Sequence, residues 1–97
     1  MTSQNKKYQL FQIVKSIPIV EMIAKVICVN PAKVSGDDYW YLSFIRSEEK
    51  IPSLKVNARK NVWFDYGLGI GGNGYDLLCH YLKTKNIETI SKVLQGH

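Results

Sequence analysis

The chain has 97 residues, of which 45% are hydrophobic and 11% aromatic, and thirteen Lys and Arg against eight Asp and Glu give a net charge of +5. This length predicts one domain over residues 1–97 with a single modest core, and the hydrophobic content excludes a disordered chain. Two cysteines are too few for a disulfide framework, and no apolar run reaches the roughly 18 residues of a membrane span, so we expect a cytoplasmic protein that does not enter membranes.

The first elements in chain order are two predicted helices. One covers about residues 5–15, and the other runs from Pro18 to about Val26. Proline suits the first position of a helix because its missing N–H group costs nothing there. A short connecting strand follows, between the turn residues 30–31 and 35–38.

Three strands come next, at about residues 39–44, 53–57 and 61–66. The connection over residues 57–61 is short, so it predicts a hairpin and antiparallel pairing. A third helix is expected after Gly72, with Asn73 and Asp76 as a capping box, and a last one from about Ile87. The predicted fold class is α+β, a small antiparallel sheet flanked by helices.

Side chains alternate between the two faces of a strand. Grouped by polarity, one sheet face is predicted to be polar and aromatic, with Tyr39, Tyr41 and Trp63 beside Lys55. Single-stranded nucleic acid is held by bases that stack on aromatic rings and by Lys and Arg that follow the phosphates. The alternative is that these aromatics pack in the core or across strands, as they more often do in small β proteins.

Positive charge is clustered between residues 50 and 60, which contain no acidic residue. This segment holds Lys50, Lys55, Arg59 and Lys60. Local clustering of this kind indicates an anionic partner more strongly than net charge does.

The glycine-rich run from Gly67 to Gly74 satisfies G-x-G-x-x-G, the pattern of dinucleotide-binding loops. That fold needs parallel β-α-β units, whereas the strands before this run form an antiparallel hairpin and nothing after it indicates a strand. The glycines are therefore interpreted as a tight reversal between strand and helix. A second interpretation stays open, in which the helix N-terminus at residues 73–75 binds a backbone phosphate.

The residue types predict neither a metal site nor a catalytic site. The only soft ligands are Cys28, Cys79, His80 and His97, and the adjacent Cys79 and His80 point about 100° apart on a helix. The carboxylates are distributed among turns, a hairpin and a helix cap, rather than clustered as phosphoryl transfer would need.

Three stretches together, Tyr39 to Ser43, Lys50 to Val56 and Asn61 to Gly72, resemble the zinc-binding domain that opens bacterial DNA primases. That family has a Cys-Pro-Phe-His knuckle, a hairpin with Lys-Thr-Pro-Ser-Phe, and a Cys-x-x-Cys knuckle that runs into a glycine-rich turn. Aligned on Pro-Ser and Gly-Gly, the four ligand positions are occupied by Ser43, Arg46, Asp65 and Leu68. The resemblance thus implies a degenerate domain that folds without zinc, similar to variants in mobile-element primases.

The function that this resemblance implies is non-catalytic binding of a single-stranded DNA template in a primase-like or mobilization system. Synthesis belongs to a separate domain in the family. The predicted binding residues are Tyr39, Tyr41, Lys50, Lys55, Arg59, Lys60 and Trp63. The alternative is a protein-interaction module that docks a helicase, a relaxase or a primase catalytic domain through the same aromatic face.

The lost metal leaves a structural question, because zinc ties two loops together in the family and a small domain has little stability to spare. We hypothesise a replacement in which Arg46 and Asp65 pair, the hydroxyl of Ser43 joins them and Leu68 covers them. The alternative is that Asp65 faces water and that nothing polar replaces the metal.

Overall fold

The computed structural model describes residues 3–45 and 51–96, which contain four α-helices and five strands. A π-helical segment, Ile23–Ile27, directly continues the second helix. The helices are α1 (Ser3–Ser16), α2 (Ile19–Met22), α3 (Gly74–Leu82) and α4 (Ile87–Gln95). The strands are β1 (Lys33–Ser35), β2 (Asp38–Tyr41), β3 (Leu54–Asn57), β4 (Val62–Asp65) and β5 (Ile70–Gly72).

The five strands form one sheet in the order β1-β2-β3-β4-β5, and every neighbouring pair is antiparallel. The predicted fold class and the hairpin between β3 and β4 are confirmed. Asn61 closes that hairpin with φ of 55°, and its N–H donates to the Asn57 carbonyl at 2.8 Å. The glycine-rich run was interpreted as a tight reversal between strand and helix, but part of it, Ile70–Gly72, is a fifth strand that pairs with β4.

The helices cover one face of the sheet and bury its core. Tyr41, Leu54, Val56 and Trp63 from the sheet pack against Ile19, Ile23 and Leu77 from the helices. A second cluster joins the helices to one another through Val14, Met22, Leu78, Ile87 and Ile90. The opposite face of the sheet is therefore left for other contacts.

Asn61 also fastens the β3–β4 hairpin to the start of α2. Its Oδ1 accepts the N–H of Ile19 at 2.8 Å, and its Nδ2 donates to the Ile17 carbonyl at 3.1 Å. Pro18 is the residue before α2 rather than its first residue. The side chain of Asn61 therefore supplies the cap that Pro18 cannot supply.

Among the described helices, none is long and apolar enough to cross a membrane.

Candidate nucleic-acid interface

One row of cross-strand neighbours crosses the exposed face of the sheet from edge to edge. Lys33 on β1 faces Trp40 on β2, Trp40 faces Lys55 on β3, Lys55 faces Phe64 on β4, and Phe64 faces Gly71 on β5. Residues directly opposite each other on antiparallel strands project from the same face. Cations and aromatic rings thus alternate along this row, which we call the central row.

Two aromatic rings, those of Trp40 and Tyr66, lie next to the ammonium group of Lys55. Its Nζ lies 5.6 Å from the ring centroid of Trp40 and 5.7 Å from that of Tyr66, which is within cation–π range. The rings of Trp40 and Tyr66 stack with centroids 5.9 Å apart, and Phe64 meets Tyr66 edge-on at 4.8 Å. Phe64 is 39% exposed and Tyr66 is 56% exposed. This group offers both ring surface and positive charge to solvent.

Gly71 allows the ring of Phe64 to lie against β5. A Cβ atom at this position would collide with the carbonyl oxygen of Trp63 and lie 2.8 Å from Cδ2 of Phe64. An aromatic ring that covers a cross-strand glycine is a known way to stabilise such pairs. The glycine therefore helps to fix the position of Phe64 in the central row.

Shallow depressions flank the stacked pair of Trp40 and Tyr66. The first has a volume of about 300 Å³ and is lined by Lys33, Trp40 and Pro52. The second has a volume of about 330 Å³. Its lining includes Lys55, Asn57, Lys60, Val62, Phe64 and Tyr66.

The prediction that Tyr41 and Trp63 lie on the exposed face with Lys55 was wrong. Tyr41 is 1% exposed and Trp63 is 2% exposed, and Tyr39 packs partly buried against the same core. Alternation within each strand was predicted correctly, but Tyr39 and Trp63 pair with Val56, whereas Lys55 pairs with Trp40 and Phe64. A one-residue difference in register exchanges the faces of a strand, and grouping by polarity could not reveal it.

The two buried aromatics have structural contacts instead. The indole N–H of Trp63 donates to the Asn73 carbonyl at 2.8 Å, which joins β4 to the start of α3. Burial raises the pKa of Tyr41, and the nearby Tyr39 adds to that effect.

The sequence did not identify four residues that lie on the exposed face of the sheet, which are Lys33, Trp40, Phe64 and Tyr66. Alternation separates Trp40 from Tyr41 and Phe64 from Trp63, but it does not show which of them share a face with Lys55.

Two of the predicted basic residues lie in the turn between β3 and β4. The guanidinium of Arg59 contacts the carboxylate of Asp37 at 3.5 Å, and both side chains are exposed. Lys60 is exposed and borders the second depression. Lys50, also predicted as a binding residue, lies outside the described residues.

The carboxylate of Asp65 is a buried centre for hydrogen bonds from three segments. Asp65 is 0% exposed, and its Oδ2 accepts the hydroxyl of Ser43 at 2.6 Å. Its Oδ1 accepts the N–H groups of Gly67 at 2.8 Å and Leu68 at 3.1 Å, with the hydroxyl of Ser53 farther away at 3.5 Å. This Asp65 cluster ties the segment after β2, the segment before β3 and the turn after β4.

Three members of the Asp65 cluster, Ser43, Asp65 and Leu68, occupy positions that the resemblance assigns to zinc ligands, but as a set they do not fit zinc. A hydroxyl and a backbone N–H replace the soft ligands at positions 43 and 68, and the Asp65 oxygens already accept hydrogen bonds. Leu68 donates its backbone N–H to the cluster and is 44% exposed, and the apolar cover by its side chain stays a prediction. Arg46 lies outside the described residues, and its pairing with Asp65 stays a prediction. Within residues 3–45 and 51–96, no three His, Cys, Asp or Glu side chains are grouped as a metal site.

The N-terminus of α3 is occupied by its own side chains. Oδ1 of Asn73 accepts the N–H of Asp76 at 3.0 Å, and Oδ2 of Asp76 accepts the N–H of Asn73 at 2.9 Å. The predicted capping box is confirmed. Because it places a carboxylate at the helix terminus, the geometry argues against a phosphate there.

Comparison with known proteins gives one consistent result. The family model described as the CHC2 zinc finger, the DnaG-type zinc ribbon, matches residues 5–97. The DNA primases of Salmonella typhimurium and Escherichia coli strain K12 are each 37% identical over 49 residues, which is 50% of this chain and 8% of theirs. The crystal structure of the Aquifex aeolicus primase zinc-binding and RNA polymerase domains superposes on 89% of this chain and 20% of its own, with a TM-score of 0.69 and 22% identity.

Proposed function

Since the chain belongs to the CHC2 zinc finger family of DnaG-type primases, we propose that it is a non-catalytic module that binds single-stranded DNA through the exposed face of its sheet. The family match supports a DNA-binding role in a primase-like protein. The matched family is the zinc-binding region of primases rather than their synthetic part. The chain spans only 8% of the length of the curated relatives, so its non-catalytic role, its place in a mobilization system and a cytoplasmic setting are parts of the proposal.

The observation that carries the proposal is the placement of Lys55 among Trp40, Phe64 and Tyr66 on a face that the described helices do not cover. Stacking of a base on an aromatic ring contributes about 1–3 kcal/mol, and lysines that follow the phosphates add a term that depends on salt. Both contributions are available here within one cross-strand row and its neighbour Tyr66. Weak binding with little sequence preference is expected.

Fluorescence anisotropy of labelled oligothymidine, titrated at several salt concentrations, tests this proposal. Trp40→Ala should weaken binding about 5- to 150-fold with little change in its salt dependence, which corresponds to the loss of one stacked base. Lys55→Ala should reduce the salt dependence. Tyr8→Ala is the matched aromatic control, because Tyr8 is 65% exposed but lies on α1, away from the sheet face. Binding that survives both Trp40→Ala and Lys55→Ala unchanged would refute the proposal.

The domain is also proposed to fold without zinc. Support comes from the Asp65 cluster, which joins the segments that a metal would join through a carboxylate, a hydroxyl and backbone N–H groups, without the Cys and His ligands of structural zinc sites. Elemental analysis of the purified protein should find no stoichiometric zinc, and a chelator should leave the melting temperature unchanged. One equivalent of zinc that survives dialysis, with loss of fold on chelation, would contradict this part of the proposal.

Docking of a protein is the second candidate for the same face. It is favoured by the exposure of the apolar Val62 and Phe64 beside Tyr66. The partner would be a helicase, a relaxase or a primase catalytic domain. An aromatic protein interface should respond weakly to salt, whereas DNA binding through several phosphates should weaken steeply. Pull-down of a primase-associated partner together with salt-insensitive binding would favour this candidate.

A further inference from the structure

The charges on the exposed face differ between neighbouring cross-strand rows. The central row of Lys33, Trp40, Lys55, Phe64 and Gly71 contains no carboxylate. The next row toward the β3–β4 turn consists of Ser35, Asp38, Asn57 and Val62. A polyanion that left the central row in that direction would therefore approach a carboxylate.

Two courses are open to a nucleic-acid strand on this face. It can follow β3 and β4 toward Arg59, or it can cross the strands along the central row. On the first course it passes the exposed Lys60 but meets Asp38, and Arg59 is already in contact with the carboxylate of Asp37 at 3.5 Å. On the second course it meets only lysines, aromatic rings and a glycine. Charge therefore favours the second course.

Depressions lie at two points of the crossing course. The first is lined by Lys33 and Trp40, and the second meets the central row at Lys55 and Phe64 and extends along β3 and β4 to Lys60. Each depression has an aromatic wall and a lysine, so a strand that crosses the stacked pair finds the same two kinds of contact on both sides. Volumes of about 300 and 330 Å³ lie at the lower limit of the range for small-molecule sites, about 300–1,000 Å³.

Building on the proposed function, we infer that a single strand of nucleic acid crosses the sheet perpendicular to the β-strands. Lys33 contacts a phosphate, and the first depression, beside Lys33 and Trp40, is a second subsite for a base. Neither Lys33 nor Lys55 forms an ion pair with a carboxylate of the described residues. From β1 to β4 the central row spans about 14 Å at the usual strand spacing of about 4.8 Å. A site of this span is short and corresponds to the lower end of the about 4–16 nucleotides that a single-strand-binding fold covers, about four nucleotides.

The salt dependence of oligothymidine binding tests this course. Two phosphate contacts, by Lys33 and Lys55, predict a slope of log K against log salt of about −1.4, so affinity should fall about sevenfold from about 50 to about 200 mM salt. Lys33→Ala should reduce the slope to about −0.7 and the fall to about threefold. Arg59→Ala should change the slope much less than Lys33→Ala. Lys92→Ala on α4 removes the same charge from the helix layer and is the matched control.

The outcomes separate this inference from the proposed function. No binding by the wild-type protein overturns both. The crossing course is overturned if the wild-type protein binds but Lys33→Ala leaves the salt slope unchanged. It is also overturned if Arg59→Ala changes the salt slope more than Lys33→Ala does. In both cases the proposed function stands. A length series provides the second measurement, since affinity should rise steeply up to about four nucleotides and only slowly beyond them. A steep rise that continued past about twice that length would overturn the crossing course as well.

Discussion

Replacing Asp65 with alanine removes the acceptor that three segments share. The variant deprives the Ser43 hydroxyl and the N–H groups of Gly67 and Leu68 of their partner. Gly67 and Leu68 are exposed, so water can replace the carboxylate there at a cost of about 0.5–1.5 kcal/mol per bond. Ser43 is only 7% exposed, and leaving its hydroxyl unsatisfied costs about 1–3 kcal/mol. The expected loss in the free energy of unfolding is about 2–6 kcal/mol.

Urea unfolding followed by tryptophan fluorescence measures this loss, since Trp63 is buried and becomes exposed on unfolding. A small domain has about 5–15 kcal/mol of stability in total, so the alanine variant can be close to unfolded. Asp65→Asn then serves as the second variant. Its Oδ1 can still accept the two N–H groups of the turn, so its loss should be smaller than that of Asp65→Ala.

Asp37→Ala is the matched control because it also removes one carboxylate. Its contact with Arg59 is exposed, and exposed ion pairs contribute about 0–1 kcal/mol. If the free energy of unfolding of Asp65→Ala lies within about 1 kcal/mol of that of Asp37→Ala, the reasoning is refuted. The carboxylate would then contribute no more than a surface group, and the loops would have to be held by packing alone.

Two further predictions concern the sheet and the α3–α4 junction. Gly71→Ala should lower stability by about 1–3 kcal/mol because its Cβ collides with Trp63 and Phe64, while Gly96→Ala, with no contact closer than 3.5 Å, should change stability by less than about 0.5 kcal/mol in the same urea assay. If the two alanine variants are equally stable, the close packing of Phe64 on β5 is contradicted. Desolvation of the phenol, together with the nearby Cys79 and Asp76, raises the pKa of Tyr75 to about 12 from 10.0. The folded state thus favours the protonated phenol, so its contribution is complete below pH 10 and is lost as the pH rises from 10 to about 12. The difference in melting temperature between the wild-type protein and Tyr75→Phe should therefore shrink over that interval, and a constant difference would count against it.

The fold was predictable where local chemistry determines it. The α3 capping box needs only Asn73 and Asp76 at the right spacing, and the β3–β4 hairpin needs only the short polar connection that ends in Asn61. The π-helical segment Ile23–Ile27 has no such signal in the sequence. The strand β5 was missed because two of its three residues are glycines and its pairing depends on Phe64 and the backbone of β4.

The candidate site was only partly predictable, because the face of a strand is a tertiary property. Lys55 and the aromatics were identified as the chemistry of interest, but the pairing of Lys55 with Trp40 rather than with Tyr41 depends on register. Asp65 was identified as half of a polar replacement for the metal. Its actual partners include backbone N–H groups of Gly67 and Leu68, which the residue types in a sequence do not reveal.

The order of the strands has a consequence for the rate of folding. Three of the four strand connections are short turns, at residues 36–37, 58–61 and 66–69, so most sheet contacts join residues close in sequence. Low contact order permits fast folding because little loop entropy is lost before each hairpin gains its contacts. The bond from Ser43 to Asp65 spans 22 residues and joins the connection between β2 and β3 to the end of β4. A contact of this range that forms after the hairpins would slow unfolding more than it speeds folding.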